Sequence, residues 1–158
     1  MPAVIRGLGD TRSIRMFSSR TGDWVDTVYW VEGTYILEAL NAVSYLMRDW
    51  REDRIEPISP ATIDIIAQTW AMLRTDEPFE VVSGYRTPQT NAMLRRRSRA
   101  VARKSYHVLA MAADLTMKSR TARQISRAAK SLQAGGVGTY SRAEFVHVDS
   151  GPLRDWGR

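Results

Sequence analysis

Residues 144–149 read Glu-Phe-Val-His-Val-Asp, and this run decides how the C-terminal half is organised. Side chains alternate between faces along a strand, so Val146 and Val148 predict a core face. Phe145, His147 and Asp149 then share the other face. Glu144 would point away from His147 in a regular strand, so it is expected before the strand or on a bulge. Working outward, Gly138-Thr139-Tyr140 reads as a loop. It follows a helix over 122–132, with Ile125, Ala128, Ala129 and Leu132 on one side and Gly135-Gly136 as its stop. Residues 112–117 alternate as a strand, and 79–82 form a short apolar strand running into the turn cluster Ser83–Pro88. Pro88 can open a helix that continues into Arg95-Arg96-Arg97, with a loop over 100–105.

The N-terminal half predicts a hairpin, 13–18 and 24–31 around Ser19-Arg20-Thr21-Gly22-Asp23. A helix from about Tyr35 to Arg51 carries Ile36, Leu37, Leu40, Val43, Leu46, Met47 and Trp50 at three- and four-residue spacing. Ser59-Pro60 starts a second, with Ile63, Ile66, Ala67, Trp70 and Leu73 as its buried face. Both helices read as scaffold, their aromatic and methionine positions as core. With no repeat, low-complexity tract or linker in 158 residues, the expectation is one α+β domain. Its parts would be an N-terminal hairpin segment (1–32), a helical scaffold (33–78) and a core bearing the candidate site (79–158).

Hydrophobic residues make up 44% of the chain and charged residues 25%, enough to bury a core. Cysteine is absent, which excludes thiolate nucleophiles, Cys-ligated zinc and disulfides, and histidine occurs only at His107 and His147. No apolar run approaches the roughly 18 residues of a membrane span, and the N-terminus lacks the apolar segment of a signal peptide. Net charge is +6, unevenly spread: residues 1–85 carry 8 basic and 13 acidic side chains, residues 86–130 carry 12 basic and a single acid, Asp114. Arg95, Arg96, Arg97, Arg99, Arg103 and Lys104 are the densest part. Such a stretch attracts a polyanion (nucleic acid, anionic lipid or cell-wall polymer), or it is simply a solvated helix face.

The chemistry-bearing constellation is His107, Asp114 and His147. Two imidazoles and a carboxylate suit an open zinc site with a fourth position for water. A lone strand histidine is more often a satisfied polar residue than a ligand. Here, however, the two histidines flank the one acid of a very basic stretch.

Four ordered blocks go further: SGYRTPxxNxxLRRRS (83–98), SxHxxAxAxD (105–114), GGVGxY (135–140) and FVHVDSGPxRxW (145–156). Together they resemble the zinc D-Ala-D-Ala carboxypeptidase and murein endopeptidase family, especially its small bacterial branch that cleaves peptidoglycan cross-links. The similarity extends upstream through Thr21-Gly22, Tyr29-Trp30, Gly33-Thr34-Tyr35 and 46–51. The resemblance implies a hedgehog-like α+β domain, a small antiparallel sheet packed with helices and zinc on one sheet face. It makes His107, Asp114 and His147 the ligands of one zinc ion, Glu144 the general base and Arg86 the group that steadies developing negative charge. Ser83, Tyr85, Ser105 and Tyr140 would line the substrate pocket. Asp149 and Trp156 would support the ligands, with Asp149 the fallback carboxylate. Two positions depart from the family pattern. Ala110 stands where glycine is usual, at a cost of about 1 kcal/mol if that site needs a positive φ. Arg20 stands where many relatives have histidine.

The resemblance implies a zinc peptidase acting on peptidoglycan stem peptides or cross-links, as D,D-carboxypeptidase or endopeptidase. It would work at the cell wall, periplasmic or extracellular. The missing export segment suggests a phage endolysin or virion-associated lysin, carried with other virion proteins, and otherwise a cytoplasmic location. A structural or assembly module retaining the fold is the alternative. Specific nucleic-acid binding lacks any supporting motif.

Overall fold

The computed structural model describes residues 10–158, so the first nine positions of the N-terminal hairpin segment lie outside the described residues. The chain runs β1 (Thr11–Phe17), β2 (Trp24–Val31), β3 (Thr34–Tyr35), α1 (Leu37–Leu46), α2 (Pro60–Met72) and β4 (Phe79–Ser83). It continues through α3 (Pro88–Arg97), β5 (Ala112–Thr116), α4 (Ala122–Ser131), β6 (Gly136–Tyr140), β7 (Phe145–Asp149) and β8 (Arg154–Gly157). Among the described residues no helix is long and apolar enough to cross a membrane.

Among the described residues, eight strands form one sheet, in the order β3-β2-β1-β4-β5-β7-β6-β8. It is mixed, which corrects the antiparallel expectation: β1 pairs with β4 in parallel, and β6 with β8 in parallel. The first parallel pair arises because α1 and α2 lie in the connection between its strands, the crossover that parallel neighbours need. The second arises because β8 turns back after β7 but joins the far side of β6. Gly138–Tyr140, expected as a loop, lies within β6, and the short edge strands β3 and β8 had no period long enough to read.

One face of the sheet is covered by helices. Val146 and Val148 are fully buried there with Leu115, Ala113, Ile63, Ile66 and Ile125. Ser126 on α4 bonds Thr139 on β6 at 2.5 Å, which fixes α4 to this side. The Thr121 side chain and Gln124 close a reciprocal capping box at the start of α4.

The first helix stops at Leu46, not Arg51, and its expected face is only partly buried: Val43, Leu46 and Met47 are inside, Leu37 and Trp50 exposed. The cause is Asp49. Its buried carboxylate accepts the amides of Arg51 at 3.0 Å and Thr87 at 2.9 Å, bending the chain and tying it to the turn before α3. Burial alone would raise the pKa of this acid, but these hydrogen bonds and one from Thr90 hold it below its ordinary range. Gly84 lies so close to Met47 that a Cβ would sit 2.3 Å from the Met47 carbonyl oxygen.

Candidate metal centre and groove

Asp114 on β5 and His147 on β7 are direct cross-strand partners in the sheet register. Their side chains therefore emerge side by side on the face opposite the helices. His107 arrives from a tight turn in which the Val108 amide bonds the Ser105 carbonyl and the Met111 amide bonds the Tyr106 carbonyl. Ala110 closes this turn with φ 56°, the left-handed region that favours glycine, and is buried at 1% exposure. Its carbonyl accepts the Ser59 amide at 2.9 Å, anchoring the turn to the start of α2.

His107 Nε2 lies 3.2 Å and His147 Nδ1 3.1 Å from the same atom, Asp114 Oδ1. Donors about 2.0–2.1 Å from one tetrahedral zinc lie about 3.3 Å apart, so both histidine–carboxylate spacings match a shared cation. The opposite ring nitrogens are both committed. His107 Nδ1 donates to the Gly84 carbonyl at 2.7 Å, and His147 Nε2 to Asp149 Oδ2 at 2.6 Å. These outer bonds fix the tautomers and aim the remaining lone pairs at the carboxylate oxygen. Three acceptors converging on one point are reconciled only by a shared proton or a metal. Among the described residues this is the group of three whose ligand atoms all lie within 4.8 Å of one another.

The electrostatics follow from burial. Burial lowers the pKa of His107, and the nearby Arg86 charge adds to the effect. Burial would also lower that of His147, but hydrogen bonds to Asp114 and Asp149 outweigh it and push the pKa up to about 9. Asp114 and Asp149 are held well below the usual carboxylate range: burial opposes this, and the histidines, with Arg154 for Asp149, overcome it. Asp149 is completely buried and accepts from His147, both terminal nitrogens of Arg154, and the Gly136 and Gly151 amides. With both oxygens so engaged, its part is to support His147.

A groove of about 370 Å³ opens over this cluster, and Arg86, Ser105, Tyr140 and Trp156 are among its walls. Arg86 bonds Asp114 Oδ2 at 3.1 Å and Ser83 Oγ at 2.9 Å. Ser83 thus reaches the groove only through Arg86, and Tyr85 packs against the core instead of lining it. Tyr140 accepts the Trp156 indole N–H at 3.0 Å, and Trp156 lies 5.3 Å from the His147 ring, centre to centre.

Glu144 is placed elsewhere. It precedes β7 with φ 55°, and its carboxylate accepts the Ala122 amide at 3.2 Å, in the first turn of α4. A helix N-terminus favours an anion, and this one holds the side chain at the start of α4. The exposed Glu144 is not among the groove-lining residues, contrary to the expectation of a base beside the cluster.

Arg154 stands in the block FVHVDSGPxRxW with no role legible there, and the motifs do not show the physical need for several glycines. The five-residue spacing from Asp149 to Arg154 was the available signal, but a basic residue after a strand reads equally as solvated surface. A Cβ on Gly138 would meet the Trp156 ring at 2.5 Å, and one on Gly136 would meet Arg154 at 2.2 Å.

A family model described as peptidoglycan L,D-endopeptidase MepK matches residues 7–156. The curated peptidoglycan L,D-endopeptidase MepK of Escherichia coli K12 is 38% identical over 145 residues, covering 92% of this chain and 80% of that protein. The Shigella flexneri protein of the same name matches at 38% with the same coverage. The probable MepK of Haemophilus influenzae is 41% identical over 119 residues, 74% of this chain and 63% of that one. No solved structure matches. These relatives are bacterial and named as endopeptidases, and they lend no support to the phage-lysin, virion or carboxypeptidase expectations. The chain belongs to the MepK family, a branch of the metallopeptidases that act on peptidoglycan.

Proposed function

We propose that this protein is a zinc-dependent endopeptidase that hydrolyses L,D peptide bonds in peptidoglycan cross-links. The observation that carries the reading is the convergence of His107 Nε2, His147 Nδ1 and Asp114 Oδ1 at the base of an open groove. Two imidazoles and one carboxylate are a donor set that suits zinc and leaves a coordination position open. When bound, zinc supplies Lewis acidity, polarising a carbonyl and acidifying water. The bond specificity is taken from the names of the relatives.

The remaining work falls to the chain. Gly84 and Asp149 hold the two imidazoles in the tautomers that present lone pairs to the cation. Arg86, tied to Asp114 and Ser83, brings a fixed positive charge to the groove wall, where it stabilises negative charge developing on the scissile carbonyl oxygen. Tyr140 accepts from Trp156 and so keeps its own hydroxyl hydrogen for a substrate acceptor. Glu144, bonded to α4, is given no part in proton transfer.

The test is digestion of purified cross-linked peptidoglycan, with fragments read by mass spectrometry. Fragments cut at the L,D bond, lost on chelation, restored by zinc and missing for His147→Ala, are expected. Fragments that persist after chelation would remove the metal from the reaction. Release of a terminal D-residue alone would make the enzyme a carboxypeptidase.

A further inference from the structure

A second concavity of about 470 Å³ lies between α3 and the segment that leads into His107. Arg95 reaches it from the last turn of α3, Arg103 and Lys104 from the returning loop, while Ala92, Val108 and Leu109 form an aliphatic wall. Lys104, Ser105 and Tyr106 also line the metal-centre groove, so the two concavities share a wall. We propose that this second concavity is a substrate site for a carboxylate-bearing peptide arm, the neighbouring acidic arm of the strand whose scissile bond lies over His107, Asp114 and His147. The inference rests on the function proposed above.

Three observations lead to it. Arg95, Arg96, Arg97, Arg99, Arg103 and Lys104 are all exposed, and among the described residues none joins an ion pair, whereas Arg86 and Arg154 each grip a carboxylate. A helix C-terminus favours cations, which accounts for Arg95–Arg97. It does not account for Arg103 and Lys104 returning to the same concavity from outside the helix. Finally, Leu109 is 62% exposed beside those cations, an aliphatic surface next to a charge cluster. That combination suits a peptide carrying both a short aliphatic side chain and a free carboxylate, which a guanidinium fork binds through both oxygens. A single-stranded nucleic acid would call for a row of aromatic stacking platforms, and Tyr106 is the single aromatic residue lining this concavity.

The test compares the zinc-loaded protein with the double variant Arg95→Ala/Arg103→Ala, neither residue belonging to the metal centre. The substrate is purified peptidoglycan freed of attached anionic polymers, either native or with its carboxylates amidated. Binding is read by co-sedimentation in the cold, cleavage by fragment release from soluble cross-linked peptides. On native material the variant is expected to bind about tenfold more weakly and to show KM raised by a similar factor with kcat unchanged. On amidated material the two proteins should match. Equal binding and equal KM on native material would overturn the site while leaving the peptidase reading intact. Wild-type protein that binds in the expected charge-dependent way yet cuts nothing would overturn the peptidase reading and leave the site standing. A variant defect confined to duplex DNA binding would assign the cations to nucleic acid and overturn the proposal.

Discussion

Arg154 closes on Asp149 with two parallel bonds, Nη1 to Oδ1 at 3.0 Å and Nη2 to Oδ2 at 2.8 Å. Asp149 Oδ2 also receives the His147 Nε2 hydrogen, so the fork acts on a metal-ligand candidate at one remove. Its guanidinium lies over both Tyr106 and Trp156, 4.9 and 5.0 Å from their ring centres, which limits its swing. Arg154→Ala should leave Asp149 with fewer partners and let the His147 ring turn. Zinc affinity, measured against a competing chelator, is expected to fall about 10- to 100-fold. An unchanged affinity would mean that the Gly136 and Gly151 amides suffice to hold Asp149.

Glu144 offers a sharp contrast between two roles. A general base contributes about 10²- to 10⁴-fold to rate, whereas an acid capping a helix contributes about 0.5 kcal/mol to stability. Because its carboxylate serves the Ala122 amide, Glu144→Gln should keep kcat within about threefold of wild type in peptide-release kinetics. A loss of a hundredfold would restore Glu144 to the reaction.

The pH dependence of metal binding follows from His147. In the metal-free protein its pKa is pushed up to about 9, above the ordinary 6.5, so at pH 7 the ring holds a proton that zinc must displace. Apparent zinc affinity should therefore rise about tenfold per pH unit up to about pH 9. Calorimetry in buffers of different ionisation enthalpy should count about one proton released at pH 7. The same shift fixes the sign for metal-free stability. Between pH 6.5 and about 9 the folded state binds more protons than the unfolded chain. The stabilisation is thus complete below pH 6.5 and lost as pH rises through 9, visible as a falling denaturation midpoint. A midpoint that rose across this interval would contradict the assignment.

Gly138 sets the seat of Trp156. Adding one methyl places it 2.5 Å from the indole ring, well inside contact distance. Gly138→Ala should displace Trp156 from His147 and Tyr140 and cost about 1–3 kcal/mol, as overpacking does. A shift in tryptophan fluorescence together with a lower denaturant midpoint would register it, and an unchanged spectrum would place the ring elsewhere in solution. Ala110 should behave differently. Its φ of 56° is strained, but its methyl is buried, and Ala110→Gly relieves about as much as it gives up, leaving stability within about 1 kcal/mol of wild type.

Much of the scaffold was legible because period and burial agree. The alternation of Val146 and Val148 with His147 and Asp149 gave the two faces of β7 directly, and Ser59-Pro60 marked the start of α2. Local pattern failed where distant groups decide. The end of α1 is dictated by Asp49 reaching Thr87, 38 residues away, and β8 pairs with β6 by a route no periodicity reports. The direction taken by the Glu144 side chain depends on where the start of α4 lies, so three-residue spacing from His147 carried no information about contact. The glycines appeared as a motif, and only the packed structure shows that Gly136 and Gly138 make room for Arg154 and Trp156.

The cross-strand pairing of Asp114 with His147 ties assembly of the site to strand register. These residues are 33 apart in the chain, and their adjacency exists only when β5 and β7 align as they do here. A slip by one position would turn His147 into the helical layer and disband the cluster. The candidate metal centre therefore proofreads strand alignment: a chain with β5 and β7 out of step loses the three-residue cluster along with its shape, so any chemistry that depends on the cluster is gained only by correct pairing.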